Sequence, residues 1–233
     1  QDIATRLGLG TVRIAIVNGA DLAGSVDLAR SERWDGDGRL PGLDGDVIAI
    51  NAYLGAGAIA DAIKAGAQVV VTGRVADPAL ALGPLVAHFN WSWSDLDLIA
   101  AGTLVGHLLE CGSQVSGGFF ADPGFKDVPG SEDIGFPIAE VEADGSFIIT
   151  KADGTGGVVD LRTVKEQLLY EIHDPAAYLT PDVTLDITGV ELEQVGADRV
   201  RVTGARGHAA PVTRTRSALS LIHISEPTRL RRI

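Results

Sequence analysis

Three short, nearly continuous apolar runs, each ending in a turn residue, constrain the fold of this chain more than any other feature. Thr11 to Val17 (TVRIAIV) is rich in β-branched residues and closes on Asn18-Gly19. Val47 to Ile50 (VIAI) closes on Asn51, and Gln68 to Thr72 (QVVVT) closes on Gly73. Runs of this length without polar alternation read as strands buried on both faces. Between the second and the third, Ile59, Ala62 and Ile63 recur at helical spacing within Gly55 to Ala65, and Gly66 follows as a helix stop. Strand, helix, strand is the unit of a parallel sheet covered by helices. The expected fold is therefore α/β, with a mostly parallel sheet and flanking helices in the first half.

Asp77-Pro78 opens a further helix over Ala79 to His88, Ser94-Asp95 opens one through Ala101, and another runs from Thr103 to Cys111. Beyond residue 113 the texture changes. Gly112 to Gly135 is dense in glycine and holds Pro123 and Pro129, which predicts a long loop. Asp144-Gly145 lies between Ile138 to Val141 and Phe147 to Thr150, a hairpin signal. Leu161 to Ile172 has the helical period, and Val183 to Glu193 and Arg199 to Thr203 read as strands around Gly196-Ala197-Asp198. The expected organisation is an α/β portion over 1–113, a strand-rich α+β insertion or subdomain over 114–216, and a separate tail over 217–233.

The tail stands apart because five of the nineteen Lys and Arg residues lie after Val212, against the single acid Glu226. Pro227 and the missing apolar period argue against a native helix. SLIHISEPTR resembles a translated sequencing-adapter read-through, so 217–233 is expected to be non-native and unpacked. The start at Gln1 and the absence of Met suggest a truncated N-terminus.

A formal charge of −12 makes nucleic acid and anionic membranes poor partners, since both attract Lys/Arg fields. A small molecule is the expected ligand, and a homo-oligomer is compatible with the sequence. No apolar run reaches the roughly 18 residues of a membrane span. The lone Cys111 cannot form an internal disulfide and fits a reducing, cytoplasmic setting. No zinc-binding spacing occurs, so no metal site is expected, and the sequence names no cofactor.

Ligands of open parallel sheets bind beyond the carboxyl ends of the strands. Asn18, Asn51 and Arg74 follow the three apolar runs and are candidate substrate-binding residues. Arg74 could clamp a carboxylate or phosphate through its planar fork, with Asp77 as base or orienting group. The structural reading is a salt bridge between the two, with Asp77 capping a helix. His107 and Glu110 are spaced to share a helix face, a candidate acid/base pair, and Asp122 is the carboxylate of the glycine-rich loop. Cys111 is a weaker nucleophile candidate, since a lone cysteine usually packs as a small apolar group. Lys151, Gly154, Thr155 and Gly156 could wrap an anion before the Leu161 helix, although a flexible loop between hairpin and helix is the favoured reading.

Four long blocks carry a resemblance. They are NAYLGAGAIADAIKAGAQVVVTGRVADPALALGPL, AAGTLVGHLLECGSQVSGGFFADPGFKDVPG, GFPIAEVEADGSFIITKADGTGG and VKEQLLYEIHDPAAYLTPDV. From about Leu7 to Gly207 the chain resembles the acyclic terpene utilisation family, whose members are longer at both ends. The resemblance implies a role in degrading terpenes such as citronellol and geraniol, through branched acyl-CoA thioesters. It implies either an enzyme of hydratase or lyase type acting on an acyl or acyl-CoA intermediate, or a non-catalytic acyl-CoA-binding or accessory subunit. It supplies no assigned catalytic residues.

Overall fold

The computed structural model describes residues 2–22 and 50–210. A short helix, α1 (Asp2–Arg6), precedes β1 (Ile14–Val17). The expected crossover follows: α2 (Gly57–Lys64) leads to β2 (Val69–Thr72), which pairs in parallel with β1 so that Val17 faces Thr72. Gly66 sits at φ +88° just past α2, a backbone that glycine adopts without the penalty a side chain would bring. Of the expected Val47 to Ile50 strand only Ile50 belongs to the described residues, where its carbonyl accepts from the Leu22 N–H. The expected tail over 217–233 lies wholly outside them.

Two expectations about this region are corrected. Among the described residues the parallel sheet has two strands only, and the other sheets are antiparallel, so the fold is mixed α/β rather than mostly parallel. Nor is the pair buried on both faces. Ile16 and its partner Val71 are 69% and 52% exposed, and Ile14 and Val69 beside them are exposed too, while Val17 is buried. An apolar run reports what a strand could bury, and packing decides which face is covered.

α3 (Ala79–Phe89) and α4 (Leu96–Leu109) come next. The two helices expected across Ser94 to Cys111 are one. Gly102, the apparent break, sits inside α4, where a Cβ would fall 2.7 Å from the Leu82 side chain and 3.1 Å from Trp91. The glycine serves close approach to α3, not termination. α4 is buried continuously from Ile99 to Leu108. Ile99, Leu104 and Leu108 are fully covered, and burial of each such side chain contributes about 1.5–3 kcal/mol.

Past two 3₁₀ turns at Gly112–Gln114 and Ser131–Asp133, the Asp144-Gly145 hairpin forms as expected. β3 (Pro137–Val141) pairs with β4 (Phe147–Lys151), and the Asp144 carboxylate accepts from the Ser146 N–H and hydroxyl. α5 (Leu161–Leu169) stops short of Ile172, because Glu171 turns to φ +57°. Val183 to Glu193 is not one strand. After β5 (Tyr178–Leu179), β6 (Thr184–Asp186) and β7 (Glu191–Gly196) are separated by a turn in which the Val190 N–H donates to the Ile187 carbonyl. β8 (Arg199–Thr203) and β9 (Arg206–His208) complete the sheets β3-β4-β8-β7 and β5-β6-β9.

The core does not divide at residue 113. Ala56, Leu82, Leu104 and Leu108 share one buried cluster with Ile149, Val164, Leu185 and Val202. α4 is its axis, touching α3 on one side and α5, β3, β6 and β9 on others.

Candidate functional site

A cleft of about 1180 Å³ opens between the end of α4, the glycine-rich loop and α5. Its lining is aromatic and cationic. Phe120 is buried, whereas Phe119 and Phe125 from the same loop are 73% and 88% exposed. Lys126 Nζ lies 4.7 Å from the centre of the Phe120 ring and the Arg162 guanidinium 5.3 Å, distances at which a ring face attracts a cation. Lys165, one turn along α5 from Arg162, adds a third positive charge. Arg162 is held by the Asp160 carboxylate, and Lys126 lies 3.4 Å from Glu166. In a chain of net charge −12 three cations thus gather beside apolar surface, two of them each with a carboxylate partner.

Glu110 and Cys111, on the other wall, are set by the C-terminal turn of α4. Behind them His107 is 1% exposed, with Nδ1 at 3.1 Å from Glu110 Oε1 and Nε2 at 3.3 Å from the Leu168 carbonyl. Gln167 Nε2 donates to the His107 carbonyl at 2.8 Å, and the Tyr178 ring stands 5.5 Å from the imidazole. Among the described residues, two polar atoms in this wall are buried without a partner, Glu110 Oε2 and Gln167 Oε1. Such atoms are uncommon in folded proteins.

The wall is electronegative. Burial pushes the Tyr178 phenol well above its ordinary range, and the carboxylates of Glu110, Asp77 and Glu171 push it the same way. Burial likewise raises the Cys111 thiol; a hydrogen bond from Gln167 opposes this, and Glu110, Glu171 and Asp77 add to it. Asp77 reaches this neighbourhood because α4 touches the start of α3 backbone to backbone. A Cβ on Gly106 would lie 2.5 Å from Pro78 Cα and O.

The sequence-derived candidates thus separate into groups. His107 and Glu110 do come together, and Asp77 shares their electrostatic neighbourhood. Asp77 does not cap α3, whose N-cap is Pro78 with no side-chain hydrogen bond. Asn18 and Arg74 lie at the carboxyl end of the β1/β2 pair, and Asn51 bridges to Asp21 just beyond β1. None of these three lines the cleft. Arg74 is exposed and donates to the Tyr53 hydroxyl at 3.2 Å while lying over its ring, so its expected pairing with Asp77 gives way to a nearer aromatic partner. Asp122 belongs to the cleft's loop but does not line the cleft, and its backbone closes a turn with Lys126.

The glycine loop is already occupied by its own chain. Lys151 Nζ donates to the Thr155 carbonyl at 2.8 Å and lies 3.4 Å from Asp198. The Gly156 N–H donates to the Asp133 carbonyl, and the Thr155 hydroxyl to the Ala152 carbonyl. Gly154, at φ +74°, supplies the turn. A loop whose donors are spent this way holds the 3₁₀ segment and β8 in place and has little to offer an anion. Among the described residues no group of three or more His, Cys, Asp or Glu is arranged to hold a metal.

Sequence reasoning passed over Gln167 and the cleft's cations, and read Tyr178 as a packing group. The interleaving of Phe119, Phe120, Phe125 and Lys126 was the available signal, together with Arg162 and Lys165 three apart on α5. Gln167 and Tyr178 gave none, because only folding carries them to His107.

Fold and site together define a mixed α/β protein with an aromatic, cation-rimmed cleft set against a buried histidine–carboxylate pair. No curated protein and no solved structure matches the chain. The family model of the acyclic terpene utilisation family protein AtuA does match, over residues 1–221. The chain belongs to that family. No helix among the described residues is long and apolar enough to cross a membrane.

Proposed function

We propose that this protein acts in the breakdown of acyclic terpenes on a branched acyl or acyl-CoA intermediate, bound in the cleft between α4, the glycine-rich loop and α5. One observation carries the reading: Phe119, Phe120 and Phe125 stand beside Lys126, Arg162 and Lys165. A branched hydrocarbon chain gains free energy on leaving water for the aromatic wall, and a carboxylate or phosphate at its other end gains from the cations. Nucleic acid would meet only the three cations of the cleft on a protein of net charge −12, too few to neutralise a backbone.

The reaction that suits the site is of hydratase or lyase type, since both need a proton delivered or removed beside a thioester carbonyl. On this reading the protein works in the cytoplasm, a setting that the single cysteine supports. Binding is tested by thermal shift with 3-methylbutanoyl-CoA, CoA alone and 3-methylbutanoate, because a ligand of the folded state raises apparent stability. The thioester should stabilise most, and Lys126→Glu combined with Lys165→Glu should abolish the gain. A shift that survives the double charge reversal would remove the cleft from consideration. Binding without conversion of the thioester would identify the accessory-subunit alternative.

A further inference from the structure

The polar wall behind Cys111 carries a constraint that the ligand reading does not use. The Leu168 carbonyl can only accept, so the Nε2 facing it at 3.3 Å carries a hydrogen. The other nitrogen, Nδ1, lies 3.1 Å from Glu110 Oε1. A lone pair on each would repel, so one proton must sit between them. With it on Nδ1 the pair is imidazolium and carboxylate; with it on Oε1 the pair is neutral imidazole and carboxylic acid. In both forms Glu110 Oε2 is buried with no hydrogen-bond partner among the described residues, on a side chain that is 10% exposed and lines the cleft. An unmet buried carboxylate oxygen is unfavourable, and a ligand group can relieve it once the carboxylate rotates to present that oxygen to the cleft.

We propose that Glu110 is the residue that exchanges a proton with the cleft ligand, and that His107 is a positioning residue fixed in one orientation by the Leu168 carbonyl. The inference rests on the cleft being the ligand site. As carboxylate, Glu110 takes a proton from the carbon next to the thioester carbonyl: the C–H bond breaks, an O–H bond forms, and the electron pair moves onto the carbonyl oxygen as an enolate. Return of a proton from Glu110 restores the thioester, so atoms and charge balance with no further reactant. The other groups around the pair fit this assignment. Asp77, before α3, and Glu171, after α5, are carboxylates whose fields reach the wall, and Tyr178 on β5 and Cys111 are held in their neutral forms. Glu110 is the carboxylate among them that both contacts the imidazole and lines the cleft.

Two measurements test this. Ring-nitrogen NMR of the ligand-free protein should show His107 protonated at Nε2, with an Nδ1 signal that moves when Glu110→Gln is introduced. A His107 ring bare at Nε2 overturns the proton assignment whatever the ligand is. Deuterium wash-in from D₂O into 3-methylbutanoyl-CoA should occur with the wild-type protein and fall at least about 100-fold in Glu110→Gln, with the thermal shift retained. His107→Gln tests the positioning role: it should lower exchange at saturating thioester without changing its half-saturating concentration. Exchange equal to wild type in Glu110→Gln, or binding by wild type with no exchange, overturns the role of Glu110 and leaves the ligand reading standing. Failure of the wild type to bind any acyl thioester removes the ligand reading, and the shared-proton geometry is then judged by the NMR spectrum alone.

Discussion

Single residues set the geometry of the cleft at the start of α5 and along α4. Asp160 accepts from the Arg162 and Thr163 N–H groups, and the Thr163 hydroxyl accepts in turn from the Asp160 N–H, a capping box that starts the helix. The same carboxylate holds the Arg162 guanidinium at the cleft rim. Burial works against its charge, yet Arg162 and the two N–H groups outweigh burial and hold the carboxyl below the usual range. A depressed folded pKa contributes stability that is full above the unfolded value of about 3.9 and is lost as pH falls through the folded one. Asp160→Ala should therefore lower unfolding stability by about 1 kcal/mol at neutral pH, and urea titrations should show the gap closing in strong acid. A gap unchanged by pH would mean the cap, not the charge, dominates. Gly106 is the second sensitive position. Gly106→Ala places a methyl group within 2.5 Å of Pro78 backbone atoms that cannot swing aside, and should destabilise by about 1–3 kcal/mol. Near-wild-type stability would show that α3 can slide away from α4.

At the scale of elements, the contrast between β1/β2 and α4 decides where the protein is vulnerable. The exposed face of the strand pair carries Ile16 and Val71, which already meet water. Replacing both with threonine should change stability by no more than about 0.5 kcal/mol per site. Leu104→Ala, in the fully buried stretch of α4, should destabilise by about 2–5 kcal/mol, since it removes contacts and leaves a cavity. Denaturation midpoints of the two variants compare them directly; equal losses would show that the strand face is covered in solution. The apolar runs of both elements look alike in the sequence. Periodicity located β2, α2, α3 and the β3/β4 hairpin correctly because their boundaries are marked by Gly66, Gly73, Pro78 and Asp144-Gly145. It split α4 at Gly102, because a glycine that admits a neighbouring helix is written the same way as one that ends a helix.

The whole molecule is tied across residue 113 by more than apolar packing. The Ala56 N–H donates to the Asp182 carboxylate at the start of α2. Trp91 Nε1 donates to the Ala143 carbonyl in the β3/β4 turn, and the Gly207 N–H to Asp97 on α4. Each contact joins the first half to the second, and removal of either half would leave α4 with its buried face in water. We therefore expect residues 2–113 and 114–210, expressed separately, to lack cooperative thermal unfolding by circular dichroism, and to regain it only when mixed or joined. A half that melts cooperatively alone would restore a domain boundary at that point. The cleft has the same dependence: Glu110 comes from one side of the junction, and Arg162 and Lys165 from the other.

Local rules written in adjacent residues were enough to establish an α/β chain, its main helices, one crossover, one hairpin and the His107/Glu110 pair, because turn chemistry and helical spacing act over a few positions. The four ordered blocks also carried the family. Tertiary structure alone decided which strand faces are covered, that α4 is continuous, and that the Lys151 to Gly156 loop binds its own chain. It also decided that Arg74 rests on Tyr53. Those outcomes depend on partners far away in sequence: Gln167 and Leu168 reach His107 across about sixty positions. No window of neighbouring residues records where a side chain's hydrogen bonds will be met, and the unmet oxygen of Glu110 exists only once every other donor around it has been placed.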